Sequence, residues 1–302
     1  MSLIYFGTGP FALPALRALA DSVSLVVTQP DRPSGRGMRL QPSPVKLLAI
    51  ELGIAFETPE KSRAPEFVER LQAETADALV VASYGQILSQ RVLDSARMGG
   101  INLHGSILPK YRGAAPIQRC ILAGEAETGV TLMQMDKGMD TGDVIEVARL
   151  AIGADETYGE LQDRLALVAA ELALDWMPKI LSGTYPRTPQ DGDQATVAPK
   201  IEKAEAELSV ERDASGEYNR FRAFTPAPGA FIKSSHGILR VSSARLSPLK
   251  GGPGQVLKSS PLTIGFQDGA LELIEVQPEG KKRMSGKDFA NGARLRPGSC
   301  LV

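Results

Sequence analysis

The sequence has few cysteines and no long run of apolar residues. Its two cysteines, Cys120 and Cys300, lie far apart and outside any Cys-x-x-Cys spacing, which argues against a disulfide framework and a zinc site. It also lacks any apolar run approaching about eighteen residues, and a basic segment followed by a long apolar stretch is missing from its first residues. We therefore expect a cytoplasmic protein without a membrane partner.

An excess of charge of one sign is missing as well. The formal net charge is −1, so any contact with nucleic acid needs a local basic patch. The total hides an asymmetry, because residues 207–302 hold 14 Lys and Arg against 9 Asp and Glu, whereas residues 1–206 hold 20 against 26. The basic run Lys281, Lys282 and Arg283 fits a nucleic-acid-binding module, although such a run is more often only a solvated surface.

The apolar content is sufficient for two domains. The chain has 302 residues, of which 43% are hydrophobic, and it begins with a strand–glycine turn–helix–strand unit, which predicts a doubly wound, Rossmann-like sheet. A stretch rich in Pro and Gly predicts a linker, and later short apolar segments separated by turn residues predict a small antiparallel barrel. We expect a first domain over 1–185, a linker over 186–205 and a β-barrel over 206–302.

The first glycine turn allows a second interpretation. Gly7-x-Gly9-x-x-Ala12 partly fits the dinucleotide fingerprint, and Asp31 lies near the end of the second predicted strand. Glycines at such a turn also serve tight bending and helix–strand contact without any ligand. An NAD-dependent oxidoreductase is therefore an alternative that rests on this turn alone.

Asn102, His104 and Asp140 are side chains suited to acyl transfer to an amine. Asn102 and His104 are two residues apart on a predicted strand and so share one face, and Asp140 can fold back against the imidazole. Amine attack on an acyl carbon needs a hydrogen-bond donor for the growing oxyanion and groups that move protons. Asn102 supplies the donor, while His104 and Asp140 supply the proton transfer. Arg112 is expected to open the helix that follows.

Two other sites are weaker candidates. His236, the only other histidine, lies in a predicted hairpin turn away from the acidic residues. Asp136, Asp140 and Asp143 have the oxygen ligands that a divalent cation prefers, but their spacing lacks the density of a calcium loop. Asp136 and Asp143 fit turn or helix caps better, so we predict no metal.

The motifs around the three acyl-transfer residues occur in a recognisable order. They are Asn-x-His-x-Ser-x-Leu-Pro at 102–109, Tyr-Arg-Gly-Ala-Ala-Pro-Ile-Gln at 111–118 and Asp-x-Gly-x-Asp-Thr-Gly-Asp at 136–143. This order resembles the signature of the 10-formyltetrahydrofolate-dependent formyltransferases. The resemblance implies that Asn102, His104 and Asp140 are catalytic, that 10-formyltetrahydrofolate is the formyl donor, and that the C-terminal domain is an OB-like β-barrel.

The resemblance also implies a folate site made of two neighbouring loops. Its residues are Ser106, Ile107, Leu108 and Pro109 in the first loop, and Tyr84, Gly85 and Ile87, through their backbone, in the second. On its own, the second loop reads as an ordinary strand-to-helix connection. Recognition of a pterin by main-chain groups leaves little trace in side chains.

An arginine-containing stretch over residues 29–44 predicts an exposed, irregular loop. Arg32, Arg36 and Arg39 are candidate phosphate contacts, and a solvated connector is the simpler interpretation of the residues alone. In the branch of the family that formylates methionine on initiator tRNA, an insertion of this composition reaches the acceptor stem, with Arg36 as the matching residue. The resemblance therefore implies initiator methionyl-tRNA as the partner, and we expect a monomer.

Other acceptors and other classes remain open at this point. A purine ribonucleotide amine or a nucleotide-linked amino sugar is an alternative formyl acceptor, but the basic C-terminal part and the arginine loop favour tRNA. A non-catalytic tRNA-binding protein would have no reason to hold Asn102, His104 and Asp140 beside a ligand loop.

Overall fold

The computed structural model describes residues 2–34 and 39–302. The chain forms two compact units, each of which is made of three separate segments of the sequence. The first contains Met1–Pro116, Glu127–Ala151 and Gln162–Pro199, and the second contains Ile117–Ala126, Ile152–Leu161 and Lys200–Val302. The first is a Rossmann-like α/β unit and the second an antiparallel β unit, which confirms the predicted fold class. The sequence boundaries at 185 and 205 stay a prediction.

The first unit is built on a mixed sheet. The strands in this part of the chain are β1 (Leu3–Gly7), β2 (Val23–Val27), β3 (Arg32–Ser34), β4 (Arg39–Gln41), β5 (Phe56–Glu57), β6 (Ala78–Ala82), β7 (Gly100–His104), β8 (Arg112–Gly113), β9 (Glu127–Gln134), β10 (Val144–Ala151) and β11 (Val197–Ala198). The helices are α1 (Leu13–Leu19), α2 (Pro44–Leu52), α3 (Pro65–Ala73), α4 (Gln90–Leu93), α5 (Pro116–Leu122) and α6 (Tyr158–Leu181). Helices α5 and α6 contain residues of both units.

The main sheet places the carboxyl ends of its central strands at one edge. Its order is β10-β9-β7-β6-β1-β2-β5, with β9 and β10 antiparallel to their neighbours and the others parallel. Every residue of β1, β6 and β7 is buried, as expected for strands covered on both faces. Open sheets of this kind bind ligands beyond the carboxyl ends of their strands.

Close packing explains why glycine occupies position 7, in the turn that resembled a dinucleotide fingerprint. A Cβ on Gly7 would lie 2.8 Å from the Cβ of Ala12, and the Tyr5 hydroxyl donates to the Ala12 carbonyl at 2.6 Å. The glycine therefore lets the following turn pack directly on the strand. This contact accounts for the residue without a nucleotide.

Two local expectations were wrong. Arg112 and Gly113 do not open a helix. They form β8, which pairs in parallel with β11, and α5 begins only at Pro116, whose fixed φ suits a first helical turn. Gly113 has φ +125°, and a Cβ there would meet the Ala198 carbonyl oxygen at 2.7 Å, so only glycine allows this pairing. The described part of the 29–44 stretch is also not irregular, because β3 and β4 form an antiparallel pair.

The C-terminal segment of the second unit contains an antiparallel sheet and two α-helices. Its elements are α7 (Ala214–Ala223), β12 (Phe231–Ser234), β13 (Gly237–Ser247), β14 (Val256–Ser259), β15 (Leu262–Gly265), β16 (Ala270–Pro278), β17 (Met284–Ser285) and α8 (Gly286–Gly292). The strand order is β12-β13-β16-β15-β14, and β17 pairs with β16. Helices α7 and α8 supply Phe221 and Phe289 to the core of this unit. Over the described residues, none of the helices has the length and apolarity needed to span a bilayer.

Thr131, on β9, fixes the loop that leaves β7. Its side chain is completely buried, and its hydroxyl donates to the Ser106 carbonyl at 2.6 Å and accepts from the Leu108 N–H at 3.1 Å. One side chain therefore satisfies two backbone groups of a loop that lacks regular structure. Each of them would be costly to bury without a partner.

We predict that Thr131→Val lowers the free energy of unfolding by about 2–4 kcal/mol, because valine has the same shape but leaves both backbone groups unpaired. Chemical denaturation measures the change. Thr128→Val is the matched control on the same strand, since the Thr128 side chain is buried and forms no side-chain hydrogen bond among the described residues. Equal stability of the two variants would contradict this role of Thr131.

Candidate active site

Asn102 and His104 lie at the carboxyl end of β7, between β6 and β9. Asn102 pairs with Val81 and Met133, and His104 pairs with Thr131. Their exposed fractions are 8% and 6%. Strand alternation puts both side chains on one face, so two polar groups stand at the edge of an otherwise apolar strand.

Asp140 is brought to these two residues by the turn between β9 and β10. Its Oδ1 accepts a hydrogen bond from Asn102 Nδ2 at 3.3 Å, and its Oδ2 lies 3.6 Å from His104 Nδ1. The Gly113 N–H donates to Oδ2 at 2.8 Å. Asp140 has φ +55°, a conformation that costs a non-glycine residue roughly 1 kcal/mol or more. The structure thus places the three predicted residues together.

The position of one hydrogen on His104 follows from its neighbours. His104 Nε2 lies 2.9 Å from the carbonyl oxygen of Tyr111, and a carbonyl only accepts, so Nε2 carries a hydrogen. The other ring nitrogen, Nδ1, faces the Asp140 carboxylate. A proton that arrives between Nδ1 and Oδ2 turns two facing lone pairs into a charge-assisted hydrogen bond.

The loop from Ser106 to Pro109 lies directly after β7, beside the three polar side chains. Ser106 is buried and its hydroxyl donates to the Lys110 carbonyl at 2.7 Å, while Leu108 is buried as well. Ile107 and Pro109 are half-buried. The side chains of Ile107 and Pro109 are thus the accessible ones of this predicted folate loop.

The second predicted folate loop presents backbone rather than side chains. Tyr84 is 2% exposed, packs edge-on against Phe6 at 5.1 Å between ring centroids, and burial raises the pKa of its hydroxyl. That hydroxyl finds no hydrogen-bond partner among the described residues. Gly85 has φ +89° and Ile87 is 75% exposed. Of the three predicted residues, Gly85 through its backbone and Ile87 through its side chain are therefore open to a ligand.

The predicted tRNA contacts are distributed over both units. Arg32 pairs with Glu60 at 3.2 Å, Arg39 is exposed, and Arg36 lies outside the described residues. In the second unit, Lys281, Lys282 and Arg283 are exposed where β16 turns into β17, and Arg283 lies 3.6 Å from Glu275.

The other two carboxylates of the acidic turn have structural partners. Asp136 caps its own turn, since its Oδ1 accepts from the Gly138 N–H at 2.9 Å and from the Thr141 hydroxyl at 2.7 Å. Asp143 pairs with Arg187 at 3.0 Å rather than capping a helix. Among the described residues, Asp140 is the carboxylate of this turn that faces His104.

Sequence reasoning missed two groups next to Asp140. One is the backbone N–H of Gly113, because Arg112 and Gly113 were assigned to a helix. The other is Gln190, which the sequence placed in a linker and whose side-chain amide donates to the carbonyls of Asp140 at 2.9 Å and Gly142 at 2.7 Å. An isolated glutamine between a proline and an aspartate has no periodicity, so no local pattern marks it.

Comparison with known proteins agrees with this architecture. Residues 4–177 match the family described as formyl transferase, and residues 200–294 match its C-terminal domain. The chain is 44% identical to the methionyl-tRNA formyltransferase of Symbiobacterium thermophilum over 99% of this chain and 94% of that protein. It is equally 44% identical to the enzyme of that name from Methylococcus capsulatus, over 98% of both chains.

Solved structures share the fold at low sequence identity. An N-formyltransferase from Helicobacter canadensis, described as a complex with folinic acid and dTDP-3-aminofucose, is 19% identical with a TM-score of 0.66, over 90% of this chain and 98% of that one. HypX from Aquifex aeolicus, in complex with tetrahydrofolic acid, is 17% identical with a TM-score of 0.67, over 100% of this chain and 49% of that one. From the two family matches and the full-length relatives, the chain belongs to the formyltransferase family, in the group of the methionyl-tRNA formyltransferases.

Proposed function

We propose that the protein transfers the formyl group of 10-formyltetrahydrofolate to the α-amino group of methionine esterified to initiator tRNA. The observation that carries the proposal is the joint position of Asn102, His104 and Asp140 at the carboxyl end of β7. Relatives of nearly the same length that are named methionyl-tRNA formyltransferase favour this acceptor over a purine nucleotide or an amino sugar. The acceptor belongs to translation, which agrees with a cytoplasmic location.

The reaction needs one bond formed, one broken and one proton moved. The amine nitrogen attacks the formyl carbon, the bond from that carbon to N10 breaks, the amine loses a proton and N10 gains one. Negative charge grows on the formyl oxygen between these steps. No serine or cysteine nucleophile is required, because the amine itself attacks.

Asn102 is the proposed donor to the growing oxyanion. One hydrogen of its side-chain amide is directed to Asp140, and among the described residues no group accepts the second. An amide held by a carboxylate is already oriented before the substrate arrives, so it does not need to reorganise as charge develops.

Asp140 and His104 are the proposed proton carriers. The carboxylate is the nearest anion to the imidazole, and the Tyr111 carbonyl fixes the other ring nitrogen as a donor. The proton released by the amine is taken up between Nδ1 and Oδ2, and from there it is available to N10. Such positioned acid–base groups contribute typically about 10²–10⁴-fold to a rate.

The folate donor is proposed to bind against the two loops beside this site. Ser106, Ile107, Leu108 and Pro109 form one wall, and the backbone of Tyr84, Gly85 and Ile87 forms the other. Folate compounds are part of the described complexes of two proteins with this fold. The tRNA is proposed to contact Arg32, Arg36 and Arg39, together with the basic turn before β17.

The direct test incubates the protein with 10-formyltetrahydrofolate and methionyl initiator tRNA. We expect formylmethionine on the tRNA, detected after hydrolysis of the ester, and no product with uncharged tRNA. Elongator methionyl-tRNA, an aminoimidazole ribonucleotide and a nucleotide-linked amino sugar serve as competing acceptors. Faster formylation of one of the small acceptors would refute the proposed function.

A second prediction concerns Asn102. We expect Asn102→Ala to lower turnover by about 10²–10³-fold, because the oxyanion loses its preoriented donor. Binding of tetrahydrofolate, followed by titration, should change little. Asn291→Ala, at an exposed position of α8, is the matched control and should keep full turnover. Weakened folate binding with normal turnover would assign Asn102 to the donor site instead.

A third prediction concerns the basic turn. Replacing Lys281, Lys282 and Arg283 by glutamine should weaken tRNA binding and lower the slope of log affinity against log salt by about 2–3, since each lost phosphate contact removes almost one unit. Equilibrium binding at several salt concentrations measures both quantities, with the methionine kept uncharged to separate binding from chemistry.

The control for this triple variant removes the same charge from the first unit. Arg17, Arg91 and Arg149 are exposed there, and their triple replacement by glutamine changes net charge equally. We expect the slope to stay close to that of the unaltered protein. Identical salt slopes for both triple variants would show that only total charge matters and would exclude a local contact at the basic turn.

A further inference from the structure

The side chain of Gln190 uses its whole hydrogen-bonding capacity within the structure. Its two N–H groups are directed to the carbonyl oxygens of Asp140 and Gly142, at 2.9 and 2.7 Å. Its Oε1 accepts from Arg112 Nε at 3.1 Å and from Arg112 Nη2 at 2.8 Å. A flipped amide would face carbonyls with oxygen and a guanidinium with nitrogen, so chemistry fixes its orientation. No capacity is left for a substrate.

These contacts close a ring of interactions around Asp140. Arg112 holds Gln190, Gln190 holds the backbone of the acidic turn, and the N–H of Gly113 holds the carboxylate of the same turn. Arg112 and Gly113 are neighbours on β8, which is anchored by its pairing with β11. Asp140 is thus fixed from two sides, at its carbonyl and at its carboxylate.

A fixed turn is needed because the backbone at Asp140 is strained. With φ +55°, the residue gains free energy by relaxing towards a right-handed or extended conformation. Such a rotation moves the carboxylate away from His104. Both carbonyl contacts of Gln190, on Asp140 itself and on Gly142, lie on the carboxyl side of the bond that rotates.

We propose that Gln190 is a positioning residue for formyl transfer, which keeps the Asp140 carboxylate against His104 by clamping the backbone of the acidic turn. The inference rests on the proposed function, since it assigns Gln190 a role through Asp140. It touches no substrate. Its side chain acts on the distance between Oδ2 and Nδ1, which is 3.6 Å here and must shorten for a proton to be shared.

The first experiment compares Gln190→Met with Gln190→Glu. Methionine removes all four contacts, whereas glutamate keeps an acceptor for Arg112 but has no N–H for the two carbonyls. We expect both variants to lose about tenfold in kcat, with KM for folate and for tRNA unchanged within about twofold, because the loss concerns geometry during the chemical step. Gln194→Met, in the same segment and exposed, should retain full kcat.

Normal kcat in Gln190→Glu would overturn the proposal, because holding Arg112 would then be sufficient. A rise in KM with normal kcat would also overturn it and would assign Gln190 to substrate binding. Inactivity of the unaltered protein towards methionyl-tRNA would instead refute the proposed function, and this control is run first, so the two failures are distinguishable.

The second experiment tests whether Gln190 acts through the Asp140 carboxylate. Asp140→Asn removes the negative charge that Gln190 positions, and single-turnover assays at high protein concentration measure the residual rate. In this background we expect Gln190→Met to lower the rate less than twofold, since coupled residues are not additive. A further tenfold loss would indicate a general structural role and would overturn the proposal.

Discussion

The candidate site is organised around the carboxyl side chain of Asp140. Its two oxygens face a side-chain amide, a backbone N–H and an imidazole, those of Asn102, Gly113 and His104. None of these three neighbours carries a permanent positive charge. Among the described residues, the carboxylate is therefore held by dipoles and is not paired with an arginine or lysine. An arginine or lysine paired with it would stabilise the anion and disfavour the proton uptake that the proposed mechanism requires.

The very short strand β8 and the residue before it contact three parts of this site. The Tyr111 carbonyl accepts from His104, Arg112 binds Gln190, and Gly113 donates to Asp140. Three consecutive residues thus contact the imidazole of His104, the side chain of Gln190 and the carboxylate of Asp140. Their own geometry comes from the pairing with β11, where Gly113 approaches the opposite backbone more closely than any side chain permits. The pairing of only two residues is sufficient to hold β8, because the residues on both sides of it are hydrogen-bonded as well.

The sequence predicted the parts of this site that depend on local patterns. A buried apolar strand ending in Asn102 and His104 is visible in the chain, because alternation alone puts both on one face. The chemistry of acyl transfer suggested Asp140 as their partner, and the family resemblance implied the same residue. The fold class followed from a strand–turn–helix–strand unit. Arg112 and Gln190 were not connected, since they are 78 residues apart and β8 is too short to show any periodicity. Such contacts are decided by tertiary pairing, which local propensity does not encode.

The distribution of charge along the sequence affects binding of the acceptor rather than the chemical step. Residues 1–206 carry six more acidic than basic side chains, and residues 207–302 carry five more basic ones. The proposed acceptor is a polyanion, so the catalytic part of the sequence repels the molecule it must modify. Screening limits the reach of charge–charge interactions to about 8 Å at physiological salt. Local contacts between basic side chains and phosphates, rather than net charge, therefore have to offset the repulsion. We propose that residues 207–302, the basic part of the sequence, supply these contacts.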